Sequence, residues 1–370
     1  MSRQTGIVCF VVWGLGWGAG DTFAQQAGER SKWEIEIHAG GVAAGNPTQG
    51  RVTLPAPGES FTTVNVRPSR YVSSWYFGDG AALANESAAA FTNIVRSSRI
   101  TPLDPVLTGA VARTSNSGSI GFRVSRHLTP RFAAEFTLDY GRSRLQLSEA
   151  ALNDIEATRI SFERYWTELL ASANPLQFQN KVVASDTEIS NESGGQVVAT
   201  GALKVRLRRD GALVPYVVAG MGGVFNRGSA PAVELRGTYS FLWTAGEPFN
   251  ERDSVVVRWL RPDRTLVGLA GGGITYDLSR RYGVRAEVRL LISPNSLDTE
   301  LSATPSIAVG APGRSFASAT TPSVQYSNGS AAAAAARSTL TGPAIAAFTT
   351  RESSGARIDA AITFGWFWRF

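Results

Sequence analysis

Side chains that support catalysis or metal binding are scarce in this chain of 370 residues, which contains two histidines and one cysteine. His38 and His127 are far apart in the sequence, and Cys9 lies in an apolar N-terminal stretch. Metal sites need clustered ligands, and nucleophilic catalysis needs a histidine beside a serine or cysteine. Neither pattern occurs here. We therefore predict no catalytic residue, no metal site and no cofactor, and we expect His38 to have a structural role.

Two glycine-rich stretches, 220–223 and 268–273, are the remaining candidates for cofactor chemistry. Loops that bind nucleotide phosphates lead into a helix, or carry Lys-Ser/Thr, and neither signal follows these stretches. Both stretches lie within segments of alternating pattern, where glycine permits curvature and close packing. We interpret them as parts of strands.

A set of charged residues occupies alternate positions between apolar ones. Its six acidic and five basic members are Glu34, Glu36, Glu135, Asp139, Glu287, Asp359, Arg123, Lys204, Arg206, Arg285 and Arg289. Charges removed from water are costly unless they are paired. If these side chains share one interior, their nearly balanced signs predict an ion-pair network. The alternative is a narrow channel with charged walls.

Eight segments position these residues, because each alternates apolar and polar side chains with the period of two that indicates a β-strand. They are 33–39, 119–125, 132–140, 197–207, 214–225, 266–278, 282–290 and 358–370. The register of 214–225 is ambiguous, since this segment is apolar on both faces. Most segments are about 9–13 residues long, and a tilted strand needs roughly 9–11 to cross a bilayer.

The connections between these segments differ sharply in length. Three are short, and the one at 209–212 contains the turn signal Asp210-Gly211. The others are long, at about 42–118, 143–195, 226–263 and 293–356. Short turns at one end and long loops at the other are typical of outer-membrane barrels. We predict an all-β fold: an antiparallel, up-and-down transmembrane β-barrel of eight strands with long extracellular loops.

Aromatic residues lie beside the short turns, which the barrel would place on the periplasmic side. They are Trp33, Phe132, Tyr216, Tyr276, Tyr282, Trp368 and Phe370. Aromatic rings suit the headgroup level of a membrane. We expect these seven side chains to form a periplasmic girdle.

Two parts of the long loops carry a pattern of their own. Apolar residues in 148–173 recur at spacings of three, four and seven, and Pro175 follows, which predicts a helix over the barrel mouth. This helix is either a lid or a partner-binding surface. Residues 233–241 and 255–259 also alternate, and form either a hairpin above the membrane or two more strands of a ten-stranded barrel. We favour the hairpin. Residues 42–118 are expected to be irregular, with a short hairpin near 61–66.

The N-terminus has the pattern of a signal peptide. Arg3 precedes an apolar run over 7–17, and Thr22 and Ala24 supply the small residues of a cleavage site. We predict a signal peptide over 1–24 and a barrel over 25–370. The chain has a net charge of +6 but no run rich in Lys or Arg, which argues against nucleic acid as a partner.

The C-terminal residues carry the one specific motif. Thr363, Gly365, Trp368 and Phe370 place a polar residue, a glycine and two aromatic residues at the spacing of an outer-membrane assembly signal. The chain resembles the eight-stranded OmpA/OmpX-type transmembrane barrels over about a quarter to a third of its length. The resemblance implies recognition of the last strand by the barrel assembly machinery, and a place among outer-membrane lipids.

These observations predict an outer-membrane protein, a monomer, that acts as a structural or surface-interaction scaffold with an unknown extracellular partner. A narrow pore for small solutes is the second hypothesis. A lipid-active enzyme is the third, and the lack of a His/Ser/acid cluster argues against it.

Overall fold

The fold consists of a closed barrel and a separate layer of sheet and helices. The computed structural model describes residues 32–46, 49–62, 68–90, 98–109, 112–142, 144–172, 178–191, 193–208, 211–243, 248–309, 326–327, 337–340 and 344–370. The predicted signal peptide therefore lies outside the described residues.

In chain order the elements are β1 (Trp33–Ala43), β2 (Gln49–Val52), β3 (Ser60–Thr62), β4 (Pro68–Tyr71), α1 (Gly78–Ala90), α2 (Asp104–Thr108), β5 (Ala112–Thr114), β6 (Ser117–His127), β7 (Phe132–Gly141), β8 (Leu145–Leu147), α3 (Glu149–Ser172), β9 (Phe178–Ser190), β10 (Ser193–Arg206), β11 (Leu213–Ser229), β12 (Ala232–Trp243), β13 (Pro248–Leu260), β14 (Arg264–Asp277), β15 (Tyr282–Pro294), β16 (Asp298–Val309), β17 (Tyr326–Ser327), β18 (Arg337–Thr339), β19 (Ile345–Ser354) and β20 (Ala356–Arg369).

Eight antiparallel strands form the barrel, in the order β1-β20-β15-β14-β11-β10-β7-β6. Each of them coincides with one of the eight predicted segments, although 197–207, 266–278 and 358–370 extend one residue past their strands, so the predicted fold class is confirmed. The barrel closes between its first and last strands, where Trp33 and Phe370 exchange two backbone hydrogen bonds of 3.3 and 3.1 Å. The ten-stranded alternative is wrong, since β12 and β13 pair with each other in a different sheet.

Every second residue of each barrel strand points away from the lumen. These outward residues are mostly apolar, so the outer face of the barrel is apolar. On β1, Ile35 and Ile37 are exposed while Glu34, Glu36 and His38 are buried. The other outward side chains continue this belt, among them Phe122, Phe136, Leu203, Met221, Leu266, Ile274, Val288, Ile362, Phe364 and Trp366. Such a surface suits lipid rather than water.

Six of the seven predicted girdle residues are exposed at the expected end, and Tyr216 is the exception. The register of β11 points Tyr216 into the lumen, where the residue is 2 % exposed. Gly273 on β14 faces it, and a Cβ at Gly273 would lie 2.5 Å from the Tyr216 hydroxyl. The missing side chain therefore makes the room for the ring, and the girdle assignment of Tyr216 is corrected.

Above the barrel, a six-stranded sheet runs in the order β2-β19-β16-β13-β12-β9. The hairpin of β12 and β13, favoured from the sequence, lies at its centre, and β3 and β4 also pair near the expected place. The expectation of irregular structure over 42–118 was wrong, because this stretch contains α1 and α2. Those helices and α3 share one apolar core with the sheet. We call this layer the extracellular domain.

Helix α3 confirms the helix predicted over 148–173. Ser148 caps its first turn by accepting a hydrogen bond of 3.2 Å from the Ala151 amide. Ile155, Phe162 and Trp166 are buried on one side, at helical spacing. None of the described helices is both long enough and apolar enough to cross a membrane.

The centre of the domain core is built over a glycine of β12. The rings of Tyr76 and Phe162 stack with centroids 4.5 Å apart, and the ring of Trp166 stacks on Tyr239 at 3.9 Å. A Cβ at Gly237 would overlap the Phe162 ring. The absence of a side chain at Gly237 lets the helix layer approach the sheet closely.

Candidate functional site

Eight charged side chains fill the periplasmic half of the lumen, and we call them the charge plug. Its members are Glu34, Glu36, Glu135 and Glu287 with Arg123, Lys204, Arg285 and Arg289, and all are buried. They come from β1, β6, β7, β10 and β15, and each occupies an inward position of the alternation. Four acidic and four basic groups balance formally, as a low-dielectric interior requires.

Arg285 contacts three carboxylates of the plug, and so does Arg123. The guanidinium of Arg285 pairs with Glu34, lies 2.6 Å from Glu36 and lies 3.4 Å from Glu135. It therefore joins β15 to β1 and β7 across the lumen. Charge-assisted contacts of this kind are stronger than neutral hydrogen bonds.

Arg123 and Lys204 complete the connections. Arg123 lies 3.1 Å from Glu36 and 2.8 Å from Glu287, and Lys204 lies 2.6 Å from Glu135. Strands distant in the barrel order are thus linked through charge. Each carboxylate of the plug contacts at least two cations.

Neutral groups supply further hydrogen bonds to the plug. Thr137 accepts hydrogen bonds of 3.2 Å from both Arg123 and Arg289, and the Tyr216 hydroxyl donates to Glu287 at 2.5 Å. The ring of Tyr216 also lies against Arg285, with 5.4 Å from the guanidinium carbon to the ring centroid.

Two glycines make space for the inward side chains. A Cβ at Gly365 would overlap the Glu36 carboxylate, and one at Gly121 would lie 2.6 Å from the His38 imidazole. Gly365 belongs to the predicted assembly signal, in which Thr363 also faces the lumen while Trp368 and Phe370 face outward. The motif therefore serves both faces of β20.

Three of the eleven predicted charges lie outside the plug. Asp139 is 2.5 Å from Nε2 of His38, above the plug. Asp359 pairs with Arg357 at 2.9 Å, near the extracellular rim. Arg206 lies at the periplasmic end, 3.4 Å from His127.

Two lumen residues lie outside the predicted charge set. Arg369 pairs with Glu34 at 3.0 Å and with Asp277 at 2.8 Å, and it closes the periplasmic end. Phe367 is buried beneath it, with 4.6 Å from the Arg369 guanidinium carbon to the ring centroid. The position of Phe367 between the outward Trp366 and Trp368 was a signal that could have placed it inside.

Above the plug, the lumen holds a cavity of about 30 Å³, room for two or three water molecules. Val198, Leu269 and Leu291 form an apolar wall, while His38 and Thr363 contribute polar groups. Arg123 and Arg289 of the plug lie at its base. The cavity belongs to the extracellular half of the barrel.

His38 has no serine or threonine hydroxyl partner in this cavity. Its Nε2 contacts Asp139, and its Nδ1 lies 3.6 Å from Glu36. Both ring nitrogens therefore face carboxylates, which suits a packing role better than that of a base for a nucleophile. Among the described residues, no group of three or more His, Cys, Asp or Glu side chains is arranged to hold a metal ion.

The extracellular domain contains a second buried polar cluster, on β13. Asp253 accepts hydrogen bonds of 2.9 Å from the Ser74 hydroxyl and 2.6 Å from the Trp75 amide. Burial raises the pKa of Asp253 to about 7, although these hydrogen bonds oppose the shift. Burial, and then the charge of Asp253, raise the pKa of Glu251 well above its usual range. The cluster fastens the segment before α1 to the sheet.

The closed barrel, the lipid-compatible outer belt and the filled lumen now decide the class of fold. The chain forms an eight-stranded outer-membrane barrel. Its place is the cell outer membrane, because strands cross a bilayer only as a closed barrel and this one presents apolar side chains all round.

Comparison with known proteins gives distant matches. No family model and no curated protein matches the chain. Among solved structures, it is similar to the outer membrane protein OprG from Pseudomonas aeruginosa, with 9% identity, a TM-score of 0.32, and coverage of 92% of this chain and 97% of that chain. The CymD monoaromatic hydrocarbon channel matches with 7% identity, a TM-score of 0.19, and coverage of 92% and 89%. The toluene transporter TodX from P. putida matches with 8% identity, a TM-score of 0.19, and coverage of 92% and 90%. At TM-scores this low, none of the three bears on the activity of this chain.

Proposed function

We propose that the protein is an outer-membrane scaffold whose barrel anchors a folded extracellular domain for contact with partners outside the cell. The observation that supports this proposal is the charge plug, in which four acidic and four basic side chains pair across the lumen. A lumen closed in this way supports an anchor better than a path for solutes. An eight-stranded barrel also encloses little more than its own side chains.

The domain offers a polar surface for such contacts. The helices cover one face of the six-stranded sheet, and the opposite face carries exposed charges that include Asp186, Glu188, Arg252 and Arg258. Arg236 lies among them, 3.2 Å from Asp186 and 2.6 Å from Glu188. A surface of this kind suits a polar, reversible partner contact rather than an obligate apolar one.

Planar-bilayer conductance of the folded mature protein tests the closed lumen. We expect no channel steps over the voltage range that the bilayer tolerates, with insertion verified by protease digestion of the protein in matched vesicles. Steady, ion-selective steps from the inserted wild-type protein would overturn the scaffold and support the second candidate, a narrow pore. The cavity above the plug is the observation that favours that candidate.

Cell-surface contact tests the scaffold itself. Cells that make the wild-type protein are compared with cells that make D186N/E188Q/R252Q/R258Q, in assays of cell aggregation and surface adhesion. We expect the variant to lose the contribution of the wild-type protein at equal outer-membrane levels. R126Q/R280Q/R281Q, which changes exposed arginines at the periplasmic end, is the control for charge removal outside the domain. Equal behaviour of the domain variant and wild type would argue against this face as the contact surface.

A scaffold of this kind needs neither a catalytic step nor a cofactor, and we propose that it acts as a monomer. The barrel is closed, so it offers no strand edge with which a second copy could pair. Its apolar belt suits contact with lipid on every side. The detergent-corrected mass from light scattering checks this, and a mass of two chains would contradict it.

A further inference from the structure

Three outward arginines lie together at the extracellular end of the barrel. Arg142 follows the last residue of β7, Arg227 lies near the end of β11, and Arg264 begins β14. All three are exposed. We call them the rim arginines.

Strand register places the rim arginines side by side. Gly141 pairs with Gln196, and Gly195 pairs with Arg227, so Arg142 and Arg227 lie at one height on either side of Gly195. Arg264 pairs with Phe225, two residues before Arg227 on β11. With strands about 5 Å apart, the three guanidinium groups can reach one ligand.

The apolar belt ends at the rim arginines. Tyr140 and Leu266, two residues nearer the membrane centre on their strands, are 45% and 80% exposed. The Tyr140 ring lies over Gly195, where a Cβ would be 2.7 Å from it. An aromatic ring at the end of the lipid-facing surface marks the headgroup level. The rim arginines therefore lie at the headgroups of the outer leaflet.

The opposite side of the barrel lacks this feature. Its outward residues at the extracellular ends of the strands include Pro294, Ala356, Ile358 and Ala43, which are uncharged. Arg357 is turned to Asp359 instead. The rim arginines thus mark one side of the barrel, and in the part of the chain that the structure describes no carboxylate lies within ion-pair distance of them.

We propose that the rim arginines bind the phosphate groups of lipopolysaccharide, the phosphorylated glycolipid of the outer leaflet. Guanidinium groups form bidentate, charge-assisted hydrogen bonds with phosphate oxygens. Three unpaired arginines at headgroup height match a lipid that carries two phosphates on its glucosamine backbone. The inference rests on the outer-membrane barrel and is independent of the proposed scaffold role.

Lipid A binding to the full mature protein in micelles tests this site. Native mass spectrometry measures the binding of diphosphorylated lipid A, of enzymatically dephosphorylated lipid A and of inorganic pyrophosphate. We compare wild type, R142Q/R227Q/R264Q and the periplasmic control R126Q/R280Q/R281Q. Heat-dependent gel mobility verifies that each variant is folded, and R227Q alone serves if the triple variant does not fold.

We expect the rim variant to bind diphosphorylated lipid A at least tenfold more weakly than wild type, and R227Q at least threefold more weakly. The periplasmic control is expected to stay within twofold of wild type. The proposal is overturned if the rim variant binds lipid A as wild type does. It is also overturned if wild type binds the dephosphorylated lipid equally well, or binds pyrophosphate as tightly as lipid A.

Discussion

Among single residues, Arg285 takes all of its ion-pair partners from other strands of the barrel. Its three carboxylate contacts come from β1 and β7, and two aromatic rings, those of Tyr216 and Phe367, lie against its guanidinium. The side chain is buried in all directions. Its removal would leave Glu34 and Glu36 without their nearest cation, which is more costly than never having placed a charge there.

Arg285→Met should therefore destabilise the barrel strongly, by about 3–5 kcal/mol. The measurement is urea unfolding followed by heat-dependent gel mobility. Arg280→Met is the matched control, because Arg280 is exposed at a periplasmic turn and its loss should cost less than about 0.5 kcal/mol. Equal stability of the two variants would show that the plug contributes little to the barrel.

Asp253 makes the stability of the extracellular domain depend on pH. Its pKa in the folded domain is about 7, against an ordinary value of 3.8, so the folded state holds a proton that the unfolded state releases. The resulting stabilisation is complete below the ordinary value and is lost as the pH rises through about 7. Glu251 acts in the same direction.

Asp253→Asn keeps a neutral side chain at every pH and should flatten this dependence. Between the ordinary pKa of 3.8 and the folded-state pKa of about 7, we expect the free energy of unfolding of the wild-type domain to fall by of the order of 1 kcal/mol per pH unit. The variant should lose clearly less. Hydrogen exchange of α3 amides measures the opening free energy of the domain. Asp263→Asn, at an exposed position, is the control. If the opening free energy of wild type and of Asp253→Asn changed with pH in the same way, Asp253 would not be the source of the pH dependence.

At the scale of elements, the approach of α3 to β12 depends on Gly237. The ring of Phe162 occupies the place of its missing side chain, and the Tyr76 hydroxyl lies 2.6 Å from that place. Helix and strand are therefore fitted to each other at this position. A larger residue must push the helix layer away from the sheet.

Gly237→Val should destabilise the domain by about 1–3 kcal/mol through overpacking. Near-ultraviolet circular dichroism reports the stacked rings of the core, and its thermal midpoint should fall while the heat-dependent gel shift of the barrel stays. Thr238→Val, on the opposite face of β12, is the control. A variant as stable as the control would mean that the helix layer adjusts without cost.

At the scale of the whole molecule, β20 pairs with both β1 and β15 and closes the barrel. It contributes Thr363 to the lumen and the exposed Trp368 and Phe370 to the outer face. The C-terminal strand is therefore needed for the closed barrel.

Deletion of Phe370 should reduce outer-membrane levels several-fold in cells, because it removes the last residue of the predicted recognition signal for the barrel assembly machinery. Quantitative immunoblots of membrane fractions measure this. The matched control is Phe364→Leu, which keeps an apolar outward residue on the same strand. Normal levels of the deletion variant would contradict the assembly role of the motif.

Much of the barrel was readable from the sequence because alternation is a local property. A strand with one face in lipid and one in a charged lumen alternates polar and apolar residues. The position of β1, β7 and β15 in the chain and their inward charges could therefore be predicted from the sequence. Helix α3 was readable for the same reason, with a different period. Segment 214–225, apolar on both faces, carried no such signal, and Tyr216 was placed on the wrong side.

The sequence by itself determined the eight strand segments of the barrel, the inward charges on most of them and the place of one loop helix, while the choice between eight and ten strands stayed open. Only the tertiary structure decided the partners, since Arg123 and Glu287 are 164 residues apart and meet through barrel closure and register. It also decided that the loops form one domain, because β9, β16 and α1 are stabilised by a core shared between distant segments. Periodicity is a property of neighbouring residues, whereas pairing and packing depend on contacts that the closed fold alone creates.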